Sequence, residues 1–319
     1  MNDGIMNDGI MTDGPVLAID VGGTKMAVGI VAADGRVTTS SRTPTPPAAD
    51  GETIWAALLH AIEALPDVGD VSAIGVGCGG PMAWPAGEVS PLNIPGWRGF
   101  PLRQRLRDAF GLPVRLHNDA ICLAVAEHWR GAGVGVDNML GMVVSTGVGG
   151  GLVLAGRVVD GTSGNGGHAG HIVVDPDGPL CPCGGRGCLE GIARGPAVAT
   201  WAVEHGWQPT GEVTARALAD DARAGDEVAI RAFHRAGRAV GIAIASAAAL
   251  LDVTLVVVGG GLAQTGELMF TPMRAAIAEH AKVDFLRGLT VVPATLGNDA
   301  GLVGAAALVL AGDRYWSSY

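Results

Sequence analysis

The sequence has no excess of positive charge: 21 Lys and Arg stand against 31 Asp and Glu in 319 residues, a formal net charge of −10. A phosphate-backbone footprint needs the opposite balance, so no nucleic-acid partner is expected. A long apolar run is also missing. The nearest, Val240–Leu251, stops at Asp252, short of the roughly 18–20 residues that span a bilayer. It reads as a buried helix, and no membrane partner is expected. The first 24 residues hold Asp3, Asp8 and Asp13 but no Lys or Arg. They lack the basic and apolar regions of a secretory signal, which points to the cytoplasm. Cysteine, at 5 residues, is too scarce for a disulfide framework. Cys181, Cys183 and Cys188 nevertheless crowd together, which in a reducing compartment suggests metal, whereas Cys78 and Cys122 stand singly in apolar surroundings as core fillers.

What the chain does have is apolar material and glycine. Hydrophobic residues make up 48% and charged residues 16%, enough for a large core, and the length suggests two domains of about 150 residues each. Glycine occupies 51 positions, about twice the usual ~7%, so close backbone approach matters often. Residues 1–14 repeat MNDGI and read as a disordered tail. Strands are expected at Val16–Asp20, Met26–Ala32 and Arg36–Ser40, with Asp34-Gly35 turning a hairpin. A helix follows from Glu52 to Leu65, capped by Asp50, then a strand at Val71–Val76 and a Pro/Gly-rich loop from Gly79 to Gly99. A helix opened by Pro101, a strand at Val114–His117 and a helix from Asp119 to about Arg130 complete this half. A second strand, glycine turn, strand unit begins at Met139–Ser145 and returns at Leu152–Ala155. Farther on come a long helix near Asp226–Leu251, a strand at Val253–Val258 and further helices, so two related α/β domains are implied.

Gly75-Val-Gly77-Cys-Gly79-Gly80 matches the dinucleotide fingerprint, but Pro81 and Pro85 follow where a helix must begin. The lysine-containing phosphate loop G-x-x-x-x-G-K-[ST] is absent as well. Ala18-Ile-Asp20-Val-Gly22-Gly23-Thr24-Lys25 is more informative, because a strand delivers a carboxylate to a tight turn. Asp20 suits a hydrated Mg²⁺ and the turn suits phosphate oxygens, although a plain hairpin with a capping Asp has the same sequence. Val144-Ser-Thr146-Gly147-Val-Gly149-Gly-Gly151 repeats the design, and Gly259-Gly260-Gly261 ends a third strand where an adenosine can lie on exposed backbone.

Leu116-His117-Asn118-Asp119 presents polar side chains at a strand end before an apolar helix. Asp119 can take the proton of a substrate hydroxyl while Asn118 holds its neighbour; equally, the pair reads as an Asx helix cap. His171, Cys181, Cys183 and Cys188 are spaced H-x9-C-x-C-x4-C, with Gly184, Gly185 and Gly187 letting the chain wrap an ion. Three thiolates and one imidazole make a closed, structural zinc tetrahedron. Such a clamp fixes the loop 164–190 and holds its other polar groups, His168 and Glu190, rigidly.

Together these segments resemble the ROK family of bacterial sugar kinases and sugar-responsive repressors, over residues 16 to about 311. The resemblance implies an actin-like, ribonuclease-H-type pair of α/β domains closing over ATP and sugar, in a homodimer or homotetramer. The expected division is 15–118, with a last helix at about 299–311 packing back on it, and 119–298. It implies Asp119 as general base, with Gly80, Asn93, Asn118, His168, His171 and Glu190 about the sugar. Asp20, Gly22, Gly23, Thr24 and Lys25, with Thr146, Gly147 and Gly149, would surround the phosphates of Mg-ATP, and Gly260 and Gly261 the adenosine. His171 would bind Zn²⁺ with Cys181, Cys183 and Cys188. The implied reaction is phosphoryl transfer from ATP to the 6-hydroxyl of a hexose or N-acetylhexosamine, foremost glucose or N-acetylmannosamine. One position departs from the pattern: kinases of the family usually read G-E-x-G-H, and here His168 replaces the glutamate. That weakens the case for glucose, and some N-acetylmannosamine kinases share the histidine. The family's transcriptional regulators carry a helix-turn-helix region ahead of the first phosphate turn, where this sequence has only the 15 residues before Val16. A non-catalytic sugar-binding protein is the third alternative, and Asp119 with both phosphate turns argues against it.

Overall fold

Glycine and β-branched residues shape the first three strands into a meander. In the computed structural model, which describes residues 12–84 and 86–316, β1 (Val16–Val21) pairs antiparallel with β2 (Lys25–Val31), and β2 with β3 (Val37–Pro44). β1 is buried at five of its six residues because both faces are covered, whereas β3 alternates half-buried and exposed side chains as an edge strand does. α1 (Gly51–Glu63) starts where the Asp50 side chain accepts the Thr53 N–H at 2.8 Å, and it buries Ile54, Leu58 and Ile62 on one stripe. β4 (Ile74–Cys78) joins β1 in parallel; a ribbon of β5 (Met82–Ala83) and β6 (Glu88–Val89) then lies inside the segment read as loop. α2 (Leu102–Phe110) returns the chain to β7 (Val114–Asn118), parallel to β4, and gives the order β3-β2-β1-β4-β7. α3 (Asp119–Arg130) follows without a loop.

The same order then recurs. β8 (Met139–Val144), β9 (Val148–Leu154) and β10 (Arg157–Val158) precede α4 (Leu189–Ala193), α5 (Gly195–Glu204), α6 (Ala215–Arg223) and α7 (Glu227–Leu251). β11 (Leu255–Gly259), α8 (Glu267–His280) and β12 (Thr290–Pro293) complete a sheet of order β10-β9-β8-β11-β12. β11 is parallel to both β8 and β12. Each sheet thus has the strand order that the resemblance to an actin-like fold implies. β12 was not expected from sequence, since only Val291 of its four residues is buried and no alternation marks it.

By internal contacts the described residues divide into unit 1 (up to 137, 151–167, and from 295 on) and unit 2 (138–150, 168–294). α3, at which the sequence reading opens the second domain, groups with unit 1. There it packs on α9 (Ala300–Leu310), which also covers β1 and β4. The approach is close: a Cβ on Gly75 would run into the Ala305 carbonyl, and one on Gly304 into the Cys122 carbonyl. α9 is apolar nearly all round, as a helix buried on all sides must be. Residues 1–11 of the expected tail lie outside the described residues, whereas the Thr12 hydroxyl meets the Ser72 hydroxyl at 2.5 Å. No helix among the described residues is long and apolar enough to cross a membrane.

Candidate functional site

In unit 1 the register brings two carboxylates to the same end of the sheet. Asp20 on β1 pairs with Gly77 on β4, and Gly77 with His117 on β7, so the row between Asp20 and the strand leading to Asp119 has no side chain at its centre. The ends of three parallel strands converge there, where α/β sheets place ligands. Burial, and next the charge of Asp119, push the Asp20 carboxyl up to about 7 against the pull of Lys25 and Arg42. The backbone at Gly301, at the start of α9, lies so close that a Cβ would strike Asp20 Oδ2.

Asn118 and Asp119 share one donor. Asn118 Oδ1 accepts the Ala120 N–H at 3.0 Å as the cap of α3, and Asp119 Oδ1 accepts it at 2.8 Å. The cap reading and the base reading therefore coexist: the helix start ties Asp119 through Oδ1, and Oδ2 is the oxygen left for a substrate proton. Burial raises the Asp119 carboxyl and its backbone N–H bonds only partly oppose this. The first phosphate turn closes through Gly22 N–H to Lys25 O at 3.0 Å, and the Thr45 hydroxyl donates to Gly22 O at 2.7 Å. Gly23, Thr24 and Lys25 are exposed. Gly23 backs directly onto Asn93, itself exposed, while half-buried Gly80 precedes Pro81 through a cis peptide bond.

In unit 2 the second turn closes through Ser145 N–H to Gly147 O at 2.8 Å, which leaves Thr146 exposed at its tip and Gly147 and Gly149 half-buried. Gly260 has φ +94°, and a Cβ there would lie 2.5 Å from Val144 O, so only glycine lets the β11 end cross the β8 end. Beside it opens a cavity of about 780 Å³ whose lining includes Ser145, Thr146, Thr214, Arg216, Gly261 and Gln264. Thr146 and Gly261 were expected at a nucleotide; Arg216 and Gln264 were not. The one local signal for Arg216 is Thr214, which caps α6 by accepting the Ala217 N–H.

The zinc signature also gathers. His171 Nδ1 lies 3.9 Å from Cys181 Sγ, and Cys183 Sγ lies 3.8 Å from Cys188 Sγ, with all four donor atoms within 4.8 Å of one another. The edge of a tetrahedron with zinc–sulfur bonds of about 2.3 Å is roughly 3.8 Å, so the donor set fits Zn²⁺. Glu190, on the helix after Cys188, accepts the Val148 N–H at 2.9 Å and thereby joins the metal loop to the second phosphate turn. His168 lies nearly parallel to His171 with ring centroids 6.0 Å apart. Burial and then His171 hold its imidazole below the ordinary value against the charge of Glu190. Its Nε2 is buried with no protein partner among the described residues.

The ROK family model matches residues 16–311. The chain is similar to a glucokinase of Thermotoga maritima, 33% identical over 308 residues that cover 92% of this chain and 96% of the relative. An N-acetylmannosamine kinase of Shigella flexneri is 36% identical over 302 residues, 92% of this chain and 97% of the relative. A crystal structure of a ROK family glucokinase from Streptomyces griseus in complex with glucose and AMPPNP superposes with TM-score 0.83 at 34% identity, covering 94% of this chain and all 100% of that one.

Proposed function

The chain belongs to the ROK family and is a sugar kinase, and on that premise we propose that it transfers the γ-phosphoryl group of ATP to the 6-hydroxyl of a hexose or N-acetylhexosamine, foremost glucose or N-acetylmannosamine. The observation that carries this reading is the pairing at the start of α3: the Asp119 carboxylate is anchored by Oδ1 with Oδ2 on its other side, and Asn118 has spent its oxygen on the cap and so offers an amide N–H. Asp119 Oδ2 takes the proton of the 6-hydroxyl as its oxygen attacks phosphorus and ADP departs, while the Asn118 amide holds a neighbouring hydroxyl. Mg²⁺, held by Asp20 through water, would supply positive charge to the β- and γ-phosphates. The charge on two neighbouring, poorly solvated carboxylates favours such a cation. The exposed turn residues Gly23 and Thr24, and Thr146 at the tip of the second turn, present backbone suited to phosphate, and the cavity beside Gly261 has the size of a small-molecule site. Zn²⁺ in the tetrahedron of His171, Cys181, Cys183 and Cys188 would be a structural clamp.

The unpartnered Nε2 of His168 supports a polar acceptor substrate, because a buried ring nitrogen left without a bond is costly. A neutral imidazole can donate at one nitrogen and accept at the other, which suits a hydroxyl or an acetamide oxygen. Release of ADP, followed with glucose, mannose, N-acetylmannosamine, N-acetylglucosamine and allose in turn, tests the proposal. One sugar should exceed the rest in kcat/KM by at least about tenfold, a gap of ~1.4 kcal/mol. No turnover with any of them, by protein that binds ATP, would remove this substrate class.

A further inference from the structure

Directly behind the proposed base lies a His–Asp pair that the reaction outlined above does not use. His117, fully buried on β7, faces Asp160 Oδ1 through Nε2 at 2.7 Å, and Asp160 is itself only 3% exposed. The other ring nitrogen, Nδ1, accepts the backbone N–H of Asn118 at 2.9 Å. Trp84 stacks on the imidazole at 4.8 Å between ring centroids and 28° between planes, and so keeps the ring from turning. The two bonds are mutually dependent. An ionised carboxylate only accepts, so it requires the proton on Nε2, and that leaves Nδ1 as the acceptor the Asn118 N–H needs. With the proton on Nδ1, two donors would face each other one residue before Asp119. Asp160 also accepts the Gly166 N–H through its backbone oxygen at 2.7 Å, which fixes the loop that runs on to His168.

We propose that Asp160 and His117 are positioning residues for the phosphoryl transfer: the carboxylate sets the imidazole tautomer, and the imidazole holds the Asn118–Asp119 backbone in the geometry from which Asp119 works. The inference rests on Asp119 as the base. Carboxylates in the same relation to a working imidazole act through its tautomer, and their loss lowers turnover while leaving the fold in place.

Three variants separate the two bonds. Asn in place of histidine puts an oxygen near the Nδ1 position but does not reach Asp160, whereas Gln reaches Asp160 but offers nothing to the Asn118 N–H. His117→Asn should keep most of kcat, and His117→Gln and Asp160→Asn should lose roughly tenfold to a hundredfold, with KM for ATP unchanged. Imidazole ¹⁵N spectra of the unaltered protein should show His117 protonated at Nε2 only, and those of Asp160→Asn a population protonated at Nδ1. Wild-type protein protonated at Nδ1, folded Asp160→Asn with wild-type kcat, or equal losses in His117→Asn and His117→Gln would each overturn the proposal. Asp119→Asn tells the failures apart: if it also turns over normally, the base assignment falls first, and if it is dead while Asp160→Asn is active, only the positioning role falls.

Discussion

At Asp20 charge and packing are in conflict. Its carboxyl stands at about 7 in the folded chain against an ordinary 3.8, so the fold holds a proton there that the unfolded chain releases. Below about pH 4 both states are protonated and the residue is neutral to stability. As pH climbs through that window to about 7 the unfolded state ionises first, and stability falls. Asp20→Asn removes the conflict. In urea titrations it should leave stability near pH 4 unchanged and raise it at pH 8 by about 4 kcal/mol, while turnover is lost. A variant equally stable or less stable at pH 8 would show that the carboxylate is better solvated than its surroundings indicate. Asp20 and Asp119 were legible as candidates because Asp20 sits at a strand end beside a glycine turn and Asp119 opens an apolar helix directly after a strand. The His117–Asp160 pair was not, because its members lie 43 positions apart and neither belongs to a motif.

Among the elements, those with local causes were readable. Asp50 and Asp226 cap α1 and α7 through bonds to an N–H three residues on, a relation visible in sequence. β12 and the β5–β6 ribbon were missed, since two- to four-residue strands with little buried surface carry no period. Least readable is the anchoring of α3 to the segment before α9. Glu127 on α3 is fully buried and takes the N–H groups of Thr295 and Leu296 on Oε1, and those of Ala132 and the Thr295 hydroxyl on Oε2. These bonds span as many as 169 positions. Glu127→Gln must turn an amide NH₂ toward two of these donors, and should cost about 2–3 kcal/mol, measured by chemical denaturation. A loss below about 0.5 kcal/mol would mean that the segment is held by the apolar packing of α9 alone.

At the scale of the whole chain, the repeated strand, glycine turn, strand unit near Asp20 and Ser145 made the duplication legible, and both sheets have the same order. The membership of α3 was not legible, because its packing partner α9 arrives some 180 positions later in the sequence. The thiol cluster was legible to the residue, since spacing alone brought all four donors together. It predicts about one Zn²⁺ per chain by elemental analysis, with chelation lowering the thermal midpoint and activity together. Metal-free protein of unchanged midpoint would contradict a structural zinc. The central claim, a sugar kinase with Asp119 as base, is tested most directly by turnover and sugar binding in Asp119→Asn. The account predicts a fall in kcat of about 10²–10⁴ with the sugar dissociation constant within a few fold of wild type. An Asp119→Asn protein that keeps most of its turnover would contradict it.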